Sequence, residues 1–310
     1  MELIGYIFTL NAIVTWASAS LVYKWGLTKT QAKPNLFFRL CCVSIGTFIF
    51  SLLFGSFIFL TELSNEGLLA YFFLCLTSGL SVTIGDLFYY MSLKKIDASR
   101  AYPLVQLSLV FVIFFSFFLF GEKITFQIIL GGILILLSVF ILSSKDKSEG
   151  LDYNIETDKK SSEDFIKGVL LAIGAAFFWA VAIISYNQAR IITNDVFVTN
   201  FFRVIFAMLF IAILGVFQRE YYAGFKKENR GNLKYFVYIG IAGILSLGFA
   251  DTLYYKAVEL NGLILTSIFT VNTPMVQQIL SILILKEKFR KRFLIAVTLI
   301  IIGNYIIIFL

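Results

Sequence analysis

Ten long apolar runs organise this chain, at about 3–23, 36–60, 68–93, 98–120, 124–144, 166–186, 196–217, 233–258, 263–285 and 289–310. Each approaches or exceeds the roughly 20 residues that a helix needs to cross the hydrocarbon core of a bilayer. Within lipid every backbone group must find its partner inside the protein, which leaves helices and closed barrels as the only spanning structures. A barrel would read as short segments of alternating polarity, whereas these runs are continuous. The expected fold class is therefore an all-α membrane protein of ten transmembrane helices. The balance of 59% hydrophobic to 15% charged residues lies far from that of a soluble domain and agrees with this. No basic segment precedes the first run, so it reads as a retained helix and not as a cleaved signal.

The chain also repeats itself. "TIGDLFYYMSL" at 83–93 carries Asp86 ahead of Tyr89 and Tyr90, and "FADTLYYKAV" at 249–258 carries Asp251 ahead of Tyr254 and Tyr255, an offset of 165. The same offset lays Glu122-Lys123 of "FGEKIT" on Glu287-Lys288 of "LKEKFR". Upstream, "FFR" at 37–39 returns at 201–203 with an offset of 164, and Trp16 is echoed by Trp179 with an offset of 163. These matches divide the chain into a first five-helix repeat at 1–144, a polar linker at 145–167 and a second repeat at 168–310. A unit with an odd number of spans returns to the membrane upside down, so the two repeats are expected to be inverted.

Lysine and arginine test that expectation, because they concentrate in cytoplasmic loops. With each assigned to its nearest loop, 22 of the 26 fall in the connections after runs 1, 3, 5, 7 and 9, and four, Lys123, Arg190, Arg203 and Lys256, fall on the other side. The basic loops thus follow the first and third runs of the first repeat but the second and fourth of the second, as inversion requires. Both termini are expected to face outward across a plasma membrane. The net charge of +7 is read as topology and not as nucleic-acid binding. The three cysteines outline no disulfide framework or metal site, and the absence of histidine removes imidazole-based catalysis and ligation. No cofactor or metal is expected.

Ten spans in two halves, a Trp in the first span of each, an Arg early in the second, and "GE" or "KE" between the fourth and fifth resemble the EamA family of the drug/metabolite transporter superfamily. The resemblance covers essentially the whole chain and implies a carrier for small organic solutes, often an exporter of amino acids, metabolites or drugs, that does not hydrolyse ATP. The first half matches better, since Lys286 replaces the small residue before Glu287 and Pro274 does not align with Pro103.

Candidate site residues follow from polarity where polarity is costly. Asp86 and Asp251 each stand about seven residues from a run's end, too deep for interfacial charges. They are expected either to face a cavity, with a coupling role, or to pair structurally with Lys94 or Lys256. Tyr89 and Tyr90, like Tyr254 and Tyr255, lie within one helical turn of their acids, where a phenol could share a hydrogen bond or aromatic faces could attract an organic cation. A plain aromatic core is the competing reading. Polar stripes run through Thr266, Thr270, Thr273 and Gln277 on the ninth run, Asn11, Thr15 and Ser18 on the first, and Tyr102 and Gln106 on the fourth. They would line a solute path or join helices. Trp16 and Trp179 complete the candidates. Arg39 and Arg203, near the starts of their runs, are read as snorkelling to the headgroups or held in a structural pair.

The expected mechanism is alternating access about a midplane site lined by runs 1, 3, 4, 6, 8 and 9. The expected partners are a small-molecule solute, the lipid bilayer and protons, with a homodimer left open. A rival reading is an intramembrane aspartyl protease using Asp86 and Asp251, suggested by "TIGDL", although Thr83 stands where the first glycine of a GxGD motif would be.

Overall fold

Helix is the only regular structure among the described residues, as a bilayer demands. The structure, a computed structural model, describes residues 2–120, 125–143, 155–226, 231–286 and 292–309. In the first half these form α1 (Leu3–Leu27), α2 (Ala32–Phe54), α3 (Asn65–Leu93), α4 (Ala98–Val105), α5 (Ser108–Phe120) and α6 (Phe126–Ser143). In the second they form α7 (Ile155–Thr193), α8 (Val196–Phe217), α9 (Leu233–Asn261), α10 (Leu263–Thr270), α11 (Thr273–Leu285) and α12 (Arg292–Phe309). The Glu122-Lys123 and Glu287-Lys288 junctions lie outside the described residues.

Among the described residues, seven helical segments are long and apolar enough to cross a membrane: α1, α2, α3, α7, α8, α9 and the α10–α11 pair. Shorter apolar stretches lie in α5, α6 and α12. The fourth expected span is not one helix, because it breaks between α4 and α5, as the ninth does between α10 and α11. The stretch expected as a linker is partly helical, since α7 begins at Ile155. Within that extension Lys167 pairs with Glu163 one turn earlier at 3.4 Å, an arrangement that supports exposed helix.

The breaks in the two halves are built alike. At the first, Leu107 N–H bonds to the Leu104 carbonyl at 3.1 Å, Val110 N–H to Leu107 at 3.0 Å, and Phe111 N–H to Leu107 at 3.3 Å. At the second, 165 residues on, Asn272 bonds to Phe269 at 3.2 Å, Met275 to Asn272 at 3.1 Å, and Val276 to Asn272 at 3.4 Å. Pro274 follows the second break, and its ring excludes the regular bond to the carbonyl four residues back. The first break has Leu109 at that place, and its neighbouring Pro103 lies upstream within α4.

Contacts between the halves follow the same symmetry. The most extensive joins α3 to α7, and its counterpart joins α1 to α9. α2 meets α8 and α6 meets α12, each pair being equivalent to itself when the halves exchange. α7 also packs on α4 and α5, as α1 packs on α10 and α11. Leu, Ile and Phe side chains cover the outside, while Arg39, Asp86, Arg203 and many Ser and Thr are buried. This distribution suits a molecule whose surroundings are as apolar as its core.

Helix ends are fixed by caps, one of which also ties the halves together. Ser64 accepts from Gly67 N–H at the start of α3, and Asp195 accepts from Phe197 and Val198 N–H at 2.8 and 2.9 Å at the start of α8. The second oxygen of Asp195 takes Ser56 N–H at 2.7 Å, from the connection between α2 and α3.

Candidate functional site

Asp86 of α3 is buried and Asp251 of α9 is partly buried within the bundle, where an unpaired carboxylate would be very costly. Arg39 of α2 donates to Asp86 Oδ2, and Arg203 of α8 donates to Asp251 Oδ2 at 2.5 Å. Both guanidinium groups are about 98% buried, which removes the snorkelling reading in favour of the structural pair. The lysines offered as partners go elsewhere: Lys94 donates to the Thr30 carbonyl at 3.0 Å and to Gln31 at 2.7 Å, and Lys256 pairs with Glu259 at 2.8 Å. Neither ammonium stem can outcompete an arginine already aimed at the acid from the neighbouring helix.

The remaining oxygen of each acid belongs to the other half. Trp179 of α7 donates from Nε1 to Asp86 Oδ1 at 3.1 Å, and Trp16 of α1 donates to Asp251 Oδ1 at 2.9 Å. Each indole also packs on the tyrosine one turn beyond the acid it holds, Trp179 on Tyr89 with ring centroids 5.4 Å apart and Trp16 on Tyr254 at 5.5 Å. The network is therefore crossed: arginine from the same half, tryptophan from the opposite one.

Around each arginine stand two tyrosines of its own half. Arg39 lies over Tyr23 and Tyr90 at 5.4 and 5.3 Å, and Arg203 lies over Tyr186 and Tyr255 at 4.7 and 6.0 Å. Guanidinium against aromatic faces is a favourable cation–π arrangement, stronger when desolvated. Tyr23 and Tyr186 were not singled out from the sequence, although they share the offset of 163 that links the two tryptophans.

Close approach explains one glycine. A Cβ on Gly85 would fall 2.5 Å from Cδ1 and 2.8 Å from Nε1 of Trp179, so only glycine lets that indole reach the acid beside it. The corresponding residue in α9 is Ala250, and there the backbone widens into π-helical turns over Ile244–Ala250. This bulge leaves the Ser246 carbonyl able to accept from Trp16 Nε1 at 3.3 Å. The Ser246 hydroxyl meets Tyr23 OH at 2.5 Å. The second half thus reaches the same arrangement by a different local backbone, which no feature of its sequence marks.

Between the halves is a cavity of about 140 Å³. Asp86, Asp251, Trp16, Trp179, Tyr89, Tyr254, Tyr255, Tyr102, Gln106 and Thr270 all line it. Arg39 and Arg203 line it too, so the second and seventh runs join the six expected. Gln106 sits at the first helix break and Thr270 immediately before the second. Tyr254 OH bonds to Ser267 at 2.6 Å, and Ser267 occupies the place of Tyr102 at the 165 offset.

Other expected residues are not on the cavity wall. Tyr90 is fully buried against Arg39 and Tyr23. Asn11 is exposed and donates to the Ile7 carbonyl one turn back, and Thr15 does the same to Asn11. These two belong to an outer helix face, their polarity met by their own backbone. Thr273 is buried and bonded to the Thr270 carbonyl, and Gln277 and Thr266 are buried away from the lining. Of that stripe only Thr270 reaches the cavity.

The profile of the EamA-like transporter family matches residues 3–144 and again residues 166–309. A protein of Archaeoglobus fulgidus named an uncharacterized transporter is 25% identical over 182 residues, 58% of each chain. A second uncharacterized transporter, from Clostridium kluyveri, is 28% identical over 242 residues, 77% of this chain and 71% of that one. The chain thus spans somewhat over half the length of the first relative. A solved crystal structure of a protein superposes with a TM-score of 0.67 at 15% identity, covering 97% of this chain and 95% of the other. At that identity the likeness concerns the fold alone.

Proposed function

Because this chain belongs to the EamA-like transporter family and is a multi-pass membrane protein, we propose that it is a secondary carrier exporting small organic solutes by alternating access. The reading takes α4 with α5, α6, and α12 as the remaining spans, making ten in two inverted repeats. One observation carries it: the acid of each half is held by the tryptophan of the other across a shared cavity. Tilting one half against the other must exchange these bonds, and broken helices meeting at a central site are how carriers bind a solute without exposing bare backbone to lipid.

Coupling to protons is assigned to Asp86 and Asp251. A proton on either acid would neutralise its carboxylate and leave a buried guanidinium without its counter-charge. Proton and solute would therefore favour different states of the site, which is the requirement for antiport. The protease alternative finds no support, since a dyad needs two carboxyl groups sharing one proton and here each is engaged by its own arginine and tryptophan.

The test is flux in proteoliposomes containing the full chain. A preloaded panel of labelled organic solutes should show saturable efflux that accelerates when protons are more concentrated outside the vesicle. Efflux no faster than from empty liposomes across the panel would overturn the carrier reading. Pooled results for Asp86→Asn and Asp251→Asn that retain full proton dependence would overturn the coupling.

A further inference from the structure

The charges around the cavity cancel, and that has a consequence for what can occupy it. Of its lining residues only Arg39, Asp86, Arg203 and Asp251 are charged, two of each sign. Both oxygens of each carboxylate already accept a hydrogen bond. An ammonium group entering this balanced set would add a third positive charge, and a carboxylate a third negative one. Either addition leaves a charge uncompensated away from bulk water, which is a costly state.

What remains for a solute is hydrogen bonding without net charge. Gln106, on the wall, carries both an amide donor and a carbonyl acceptor. Ser20, Ser108 and Thr270 add hydroxyls to the wall. Two aromatic pairs, Trp16 with Tyr254 and Trp179 with Tyr89, offer flat apolar surfaces contributed by opposite halves.

Resting on the carrier reading for its purpose but not for its test, we propose that this cavity selects solutes of zero net charge that carry a flat ring, and discriminates against organic cations and anions of the same shape. Trp16 and Trp179, as holders of the acids, are its positioning residues.

The experiment uses a matched set with one phenyl ring and one chain length: 3-phenylpropylamine as the cation, 3-phenylpropionate as the anion and 3-phenylpropionamide as the uncharged member. The full chain carries Trp25→Phe, which removes the third tryptophan, whose ring packs on Tyr235 and Tyr238 away from the cavity. The remaining emission then comes from the two cavity indoles. Titration in nanodiscs at neutral pH should show the amide quenching or shifting that emission with at least tenfold higher affinity than either charged probe. Asp251→Asn should move the preference to the anion and Arg203→Gln to the cation, with circular dichroism checking that each variant is folded. The wild-type ranking stands as the test if either variant does not fold. Equal or tighter binding of a charged probe by the wild-type cavity, or no response to the amide, would overturn the proposal. Charged-probe binding with solute efflux intact removes only the selectivity, whereas amide binding without any efflux removes only the carrier reading.

Discussion

Asp86 and Asp251 owe their stability in the interior to donors on separate helices, and the energetics of such pairs are asymmetric. Removing one partner leaves a buried charge alone and costs about 3–5 kcal/mol, whereas replacing both with neutral groups is often nearly neutral. Asp86→Asn should therefore destabilise the protein by roughly that amount, and adding Arg39→Gln should restore most of it, as read by thermal unfolding of the detergent-solubilised chain. A double variant as destabilised as the sum of the singles would contradict the pairing. Gly85→Ala places a methyl inside the Trp179 indole, so it should cost about 1–3 kcal/mol as an overpacked core does. It should also move the emission of Trp179 as the Asp86 bond lengthens. These acids and their tyrosines could be found by reading the repeat, because their offset of 165 is written in the chain. Their partners could not, since a side chain's spacing along its own helix says nothing about which helix faces it.

Helix breaks are the main departure from the element plan expected of continuous runs. The two use the same three bonds at an offset of 165, yet only the second has a proline at its exit. The break thus comes from packing of the two half-helices around the cavity, with Pro274 compatible with it but not its cause. Pro274→Ala should leave the break in place: although the buried proline ring loses packing, amide exchange at 270–276 should stay as fast as in the parent chain. Slowed exchange through that segment would show that the proline imposes the break. The π-helical turns before Asp251 have no counterpart before Asp86, which makes the halves alike in contacts and different in backbone. An apolar run cannot reveal either feature, since hydropathy records the length of a segment and not its hydrogen-bond ladder.

At the scale of the whole molecule, inversion makes a direct prediction. Glu66, at the start of α3, and Lys226, before α9, are exposed and occupy corresponding connections of the two halves. In a background lacking Cys41, Cys42 and Cys75, Glu66→Cys and Lys226→Cys should react with a membrane-impermeant maleimide from opposite faces of the bilayer. Labelling of both from one face would contradict inverted repeats. The linear chain was sufficient to establish a helical membrane protein, a duplication, and two acids too deep to be incidental, because hydrophobicity, period and register are properties of the chain in order. Which residues close the site was set only on folding: arginines in place of lysines, tryptophans exchanged between halves, Asn11 and Thr15 on the outer face. Those choices depend on how helices rotate and meet when two halves pack together, and contacts between residues 93 or 235 positions apart are formed by that packing and by nothing local.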